Sequence, residues 1–273
     1  MPRLKSRREG RFDGKYMSDF QTALHHPLRS FSAALRFLTI FPGFGAAGDE
    51  QDYFGAACFY FTAVGLVAGC FVALCASILQ VLASPLVTAV ALAILLSSVS
   101  GFLHMDGLAD TADGFLSSRT RERTLEIMKD SRIGVMGAAV VCSLLLLKSA
   151  AIFSLASEDL TGGLICAAAA GRTAMVTAMY FLPYARPEGG LGQLFTAGSD
   201  TYAASLVSIL LLLLIVVFIL PGKLLVIICS FLLVLIIFSA WCLKKIAGFT
   251  GDTIGCLCEI METGILLAVG LTF

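Results

Sequence analysis

The sequence predicts an all-α, polytopic integral membrane bundle of about seven transmembrane helices, with an N-terminal interfacial helix. Three observations carry this prediction. Hydrophobic residues are 58% of the 273 and charged residues 14%, where soluble domains run about 45–50% and about 25%. Apolar runs recur along the chain, each close to the roughly 20 residues a helix needs to cross a bilayer. Basic residues collect in alternate connections between these runs. Scarce charge and abundant apolar residues exclude disorder apart from the ends. The net charge of zero argues against a strongly basic surface, so no nucleic-acid partner is expected.

Residues 1–28 form a basic extension (Arg3, Lys5, Arg7, Arg8, Arg11, Lys15), expected to be disordered. Residues 29–273 are expected to form one membrane-embedded catalytic domain. No apolar stretch directly follows the basic residues, so the extension does not read as a secretory signal. Segment 28–41 is too short to span and carries Arg29 and Arg36. It reads as an amphipathic helix in the interface, ending at Pro42. Seven candidate spans follow: 55–80, 85–103, 133–155, 162–183, 203–220, 224–243 and 254–273. The fifth has no charge, while the seventh holds Glu259 and Glu262. Pro85, Pro183 and Pro221 stand near span ends, where a missing amide is tolerated. Nine cysteines lie in or beside apolar runs without a C-x-x-C pair. They read as small packing residues rather than a disulfide framework.

Charge orients the bundle. With the N-terminus inside, the inner segments 1–54, 104–132, 184–202 and 244–253 hold eight, five, one and two Lys and Arg. The outer loops hold only Lys223, and Lys148 and Arg172 fall within spans. Sixteen of nineteen on one side predicts a cytoplasmic N-terminus.

Two acidic clusters fall on that same side. Asp106, Asp110 and Asp113 are spaced by four and then three, which puts them on one helix face. Three such carboxylates repel one another, and hard oxygen donors suit Mg²⁺; a solvated helix end is the plainer alternative. The second cluster is Asp252, Glu259 and Glu262, with Gly251 and Gly255 leaving room for a neighbour or a phosphate. Carboxylates within a span are costly unless paired or metal-bound. Lys129 and Arg132 could hold phosphate beside Ser131 and Gly134. Arg172, flanked by small residues inside a span, has two roles open: an acid partner or a phosphate. Lys148 is expected to snorkel toward the membrane surface. His104 is open as a metal ligand, a phosphate donor or a cap. Such clusters suit a membrane enzyme that cleaves a diphosphate-activated substrate. An ion-coupled transporter is the competing class, because it also uses intramembrane acids.

The stretches ALRFLTIFP (34–42), GFLHMDGLADTADGF (101–115), RTLEIMKDSRIGVMG (123–137), Gly171-Arg172, YARPEGGLG (184–192) and GDTIGCLCEIME (251–262) resemble the cobalamin synthase family. That family is also called adenosylcobinamide-GDP ribazoletransferase. The likeness covers roughly residues 30–265 in order. It implies joining adenosylcobinamide-GDP to α-ribazole, or its 5′-phosphate, to give adenosylcobalamin (or its 5′-phosphate) and GMP, with Mg²⁺ required. It implies a bacterial cytoplasmic (inner) membrane setting, contact with membrane lipids, and other cobalamin assembly enzymes as partners. On this reading Asp106, Asp110, Asp113, Asp252, Glu259 and Glu262 form the metal set. Asp110, Asp113 and Glu259 are the catalytic set, with Asp113 as base. His104, Lys129, Arg132 and Arg172 would bind substrate phosphate. CDP-alcohol phosphotransferases also use Asp-rich helices, but Asp110 follows Ala109 where their pattern has Arg, so only the chemistry carries over, by analogy.

Overall fold

A computed structural model describes residues 18–44, 53–186, 188–190, 195 and 200–271. Among these residues the chain is helical, and its one β feature is a parallel bridge between Tyr184 and Phe249. The helices are α1 (Asp19–His25), α2 (Pro27–Leu38), α3 (Phe54–Ala57), α4 (Phe61–Leu82), α5 (Pro85–Ser98), α6 (Leu103–Leu116), α7 (Arg121–Ile127), α8 (Val135–Ser154), α9 (Ser157–Phe181), α10 (Thr201–Ile219), α11 (Leu224–Ile246) and α12 (Gly251–Val269).

The N-terminal expectation needs one correction. Ser18 and Gln21 form a reciprocal cap that starts α1, and Tyr60 Oη donates to the Ala23 carbonyl at 2.9 Å. Two satisfied end donors and a tertiary anchor order residues 18–28, where disorder was expected. Residues 1–17 lie outside the described part. Helix α2 covers most of the predicted interfacial segment. It starts with Pro27 in its first turn, and buries Ala33, Ala34, Leu35 and Leu38.

The seven predicted stretches are all helical. Among the described residues, five helical segments are long and apolar enough to cross a membrane, Phe54–Leu82, α8, α9, α10 and Pro221–Ile246, with α5 and α6 together a sixth if the bent pair is one span. The second stretch is broken. Gly101 and Phe102 both have φ of 61°, a left-handed pair no helix can continue through. The chain turns 88° there, from α5 into α6, so α6 lies across the line of that span and outside it. The seventh stretch, α12, is 19 residues long and carries Asp252, Glu259 and Glu262. Large apolar side chains face outward, among them Leu82, Phe218, Leu225 and Ile236. An apolar belt of this kind places the protein in a bilayer as a multi-pass membrane protein.

Helix α9 is the axis. It packs against α4, α10 and α12, and Ala167 to Ala170 are wholly buried. Gly65 and Gly69 of α4 lie against its backbone; a Cβ on Gly65 would sit 2.6 Å from the Ala168 carbonyl oxygen. With little hydrophobic drive between helices in lipid, such small-residue contact is how they associate. All nine cysteines are free, as expected.

Candidate active site

The start of α6, the start of α12, the end of α9 and the start of α4 meet at one end of the bundle. Thr250 caps α12: its Oγ1 accepts from the Thr253 amide, and Thr253 Oγ1 accepts from the Thr250 amide. This puts Asp252 in the first turn. Two glycines bring α6 and α12 into backbone contact. A Cβ on Gly107 would lie 2.6 Å from the Asp252 carbonyl oxygen, and one on Gly255 would lie 3.1 Å from His104 Cα. Gly255 therefore makes room for a neighbouring helix, while Gly251 opens onto unfilled space. The segment after α9 is pinned to the turn before α12. Ala185 N donates to the Phe249 carbonyl at 2.8 Å and Phe249 N to that of Pro183 at 2.9 Å. Arg186 follows, and its Nη2 donates to Asp252 Oδ2 at 2.6 Å.

These residues surround a cleft of about 220 Å³. Its polar edge is His104, Asp106, Arg186 and Asp252, and its walls are aromatic and sulfur-bearing, including Phe37, Phe61, Met175 and Phe249. His104 is 2% exposed, and both its ring nitrogens lack partners, as does Arg186 Nε. Asp110 stands half-buried behind this edge. Burial raises its carboxyl, and the neighbouring Asp106, Asp252 and Asp113 raise it further, to about 7, against the pull of Arg186.

A second polar group lies deeper, between α5, α8, α9 and α12. Lys148 Nζ donates to Glu259 Oε2 at 2.5 Å and Glu262 Oε2 at 2.8 Å. Arg172 pairs with the other oxygen of Glu262, and Ser97 Oγ donates to Glu259 at 3.0 Å. All four charged groups are at most 1% exposed. Two acids and two bases cancel, which is the condition for holding charge in low dielectric.

Residues 30–270 match the cobalamin-5-phosphate synthase family. Curated relatives named adenosylcobinamide-GDP ribazoletransferase align along nearly their whole length. The protein from Desulforamulus reducens is 37% identical over 88% of this chain and 95% of its own. Those of Chlorobium phaeovibrioides and Pseudomonas putida are 35% and 36% identical, over 90% and 88% of this chain and 98% of theirs. The chain belongs to the cobalamin-5-phosphate synthase family. No solved structure matches it.

In this member of the cobalamin-5-phosphate synthase family, the structure divides the six expected metal ligands. Asp106 and Asp252 line the cleft, and Asp110 stands behind them. Asp113 turns the other way: its two oxygens accept the Gly134 and Gly137 amides at 2.7 and 2.8 Å, closing the N-terminus of α8. Glu259 and Glu262 are set apart, because Lys148 and Arg172 already neutralise them. Arg172, expected to bind phosphate, is buried on Glu262 and does not line the cleft. Lys148 does not snorkel, because its ammonium finds two carboxylates inside. Lys129 pairs with Glu188, and Arg132 pairs with Asp130 at 2.6 Å; both are exposed and neither lines the cleft. His104 does line it. Among the described residues no three His, Cys, Asp or Glu side chains already form a metal cage. Mg²⁺ is commonly held by one or two carboxylates with substrate phosphate and water, without a full protein cage. Asp106 and Asp252, the two carboxylates that line the cleft, fit that mode. Arg186 is the residue that sequence reasoning missed. As the one basic residue of segment 184–202 it read as topology, although it lies in the YARPEGGLG stretch.

Proposed function

We propose that this chain joins adenosylcobinamide-GDP to α-ribazole, or its 5′-phosphate, and releases GMP. The family and the names of the relatives support this reaction. The observation that carries the assignment to a site is the convergence of Asp106, Asp252, Arg186 and His104 on one cleft, with Asp110 directly behind them. The ribose hydroxyl would attack the phosphate that bears the cobinamide, and the bond from that phosphate to GMP would break. Asp106 and Asp252 would hold Mg²⁺, which when bound would offset the charge of the diphosphate. Arg186 would hold a phosphate oxygen through its unpartnered Nε while Asp252 keeps its guanidinium in place. We move the base from Asp113 to Asp110, because both Asp113 oxygens already serve the α8 amides. Asp110 would take the hydroxyl proton. The distribution of basic residues supports a cytoplasmic position for this end of the bundle, and the family supports a bacterial inner membrane as its setting.

The test is GMP release by Asp110→Asn in membranes at saturating Mg²⁺. A loss of about 100-fold or more is expected for removal of a base. Near wild-type release by a well-expressed variant would overturn the assignment. Release from detergent-solubilised wild type, where no gradient exists, separates this reaction from ion-coupled transport.

A further inference from the structure

Arg186 is held to α12 by its pair with Asp252, but the proposed chemistry also needs it set against Asp106, which lies on α6. The backbone carries that second relation. Tyr184 and Arg186 both line the cleft, and Ala185 between them is buried. Alternate side chains of an extended chain share a face, so whatever fixes Ala185 fixes the aim of both neighbours. Both polar groups of Ala185 are engaged. Its amide donates to the Phe249 carbonyl at 2.8 Å, and its carbonyl accepts from Arg121 Nη2 at 3.1 Å. Arg121 is the first residue of α7, and α7 is seated on α6. A Cβ on Gly114 of α6 would lie 2.6 Å from Met128 Cγ and 3.3 Å from Thr124 Cγ2, and Thr124 and Met128 are both buried. A path of contacts therefore runs from α6 through Gly114, α7 and Arg121 to the Ala185 carbonyl, one residue before Arg186.

Resting on the proposed reaction, we propose that Arg121 is a positioning residue: its hydrogen bond to the Ala185 carbonyl sets Arg186 against the carboxylates of α6. Three arginines stand at 119, 121 and 123, and the positive-inside pattern accounts for all three without distinction. The structure separates two of them. Arg123 pairs with Glu126 at 2.8 Å, and both side chains are 63% exposed, an arrangement worth little. Arg121 instead crosses to a segment 64 residues away and donates to its backbone. Lys129, just past α7, adds a tie to Glu188 on the same segment, but that pair too is exposed. Arg121 does not line the cleft, so its effect on the reaction passes through Arg186. Small errors of placement at a transferring phosphate cost rate steeply, which gives a single backbone hydrogen bond leverage on turnover. Arg121 is exposed, so replacing it removes no core packing.

The experiment is a double-variant cycle on the full-length protein in nanodiscs, with Arg121→Ala, Arg186→Ala, the two together, and Arg123→Ala as the control. Arg121→Ala should lower kcat for GMP release about ten-fold, the rate equivalent of one hydrogen bond, with the KM for α-ribazole and the unfolding midpoint unchanged. In the Arg186→Ala background the same change should cost nothing further, because the residue it positions is gone. Arg123→Ala should keep the wild-type kcat. Hydrogen exchange without substrate reads the tie independently of the reaction, and Arg121→Ala should speed exchange of the Ala185 and Phe249 amides about ten-fold. Wild-type kcat in Arg121→Ala, an equal loss in Arg123→Ala, additive losses in the pair, or unchanged exchange would each overturn the inference. The exchange arm also separates the two readings. Normal GMP release by wild type with unchanged exchange in Arg121→Ala would refute the positioning and leave the reaction standing. Faster exchange in the variant of a protein whose wild type releases no GMP would refute the reaction and leave Arg121 as the tie that aims Arg186.

Discussion

Lys148→Met is the perturbation whose cost follows most directly from the structure. The side chain is wholly buried and contacts Ser97, Glu259 and Glu262. Methionine fills similar space but supplies no charge or donor. Glu259 then keeps only Ser97, and one negative charge is left uncompensated in the interior. Breaking a buried pair from one side costs about 3–5 kcal/mol. Glu259→Gln alone leaves the opposite imbalance and should cost a similar amount. The double variant restores neutrality with Arg172 and Glu262 still paired, and should cost under about 2 kcal/mol, because neutral replacement of a buried pair is often tolerated. The cycle should therefore give a favourable coupling of at least about 4 kcal/mol. Reversible unfolding in mixed micelles, run on all four proteins, measures it. Wild-type stability for Lys148→Met, or a double variant no better than the sum of the singles, would refute the claim that these charges hold one another.

Other consequences concern packing, capping and topology. Gly107→Ala pushes a Cβ onto the Asp252 carbonyl; the separation of α6 from α12 should cost about 1–3 kcal/mol and lower GMP release, and unchanged melting and activity would count against the contact. Asp113→Ala removes the acceptor for two α8 amides and should cost about 1–2 kcal/mol, seen as faster hydrogen exchange confined to residues 134–137, with Asp113→Asn intermediate. A reporter fused after Glu158 should read as outside the cytoplasm, and a cytoplasmic signal would reverse the orientation.

Much of the fold is legible because lipid imposes a simple rule: long apolar runs become helices. The α5–α6 turn is not, because the sequence stays apolar from 85 to 103 and a left-handed Phe102 has no signature of its own. The Gly65–Gly69 contact follows a known spacing, but spacing alone does not name α9 as its partner. For the site, the α6 carboxylate face was readable from local periodicity. The fate of Glu259 and Glu262 was not, since their partners Lys148 and Arg172 lie 111 and 90 residues away. Composition shows that charges enter the membrane; which ones meet is a property of helix packing. Arg186 was hidden for a different reason, because one loop arginine satisfies the positive-inside pattern whether or not it holds an acid.

The left-handed turn at Gly101 and Phe102 ends α5 early and so sets where the carboxylates begin. Helix α5 has 14 residues, which at about 1.5 Å each is about 21 Å, against a hydrocarbon core of about 30 Å. Either the bilayer thins around α5 or its tilt stays small. The end of α5 is where α6 begins, and α6 is locked to α12 through Gly107 and Gly255, so Asp106 and Asp252 share the depth that α5 sets. The carboxylates therefore stand at a depth fixed by the length of one short helix.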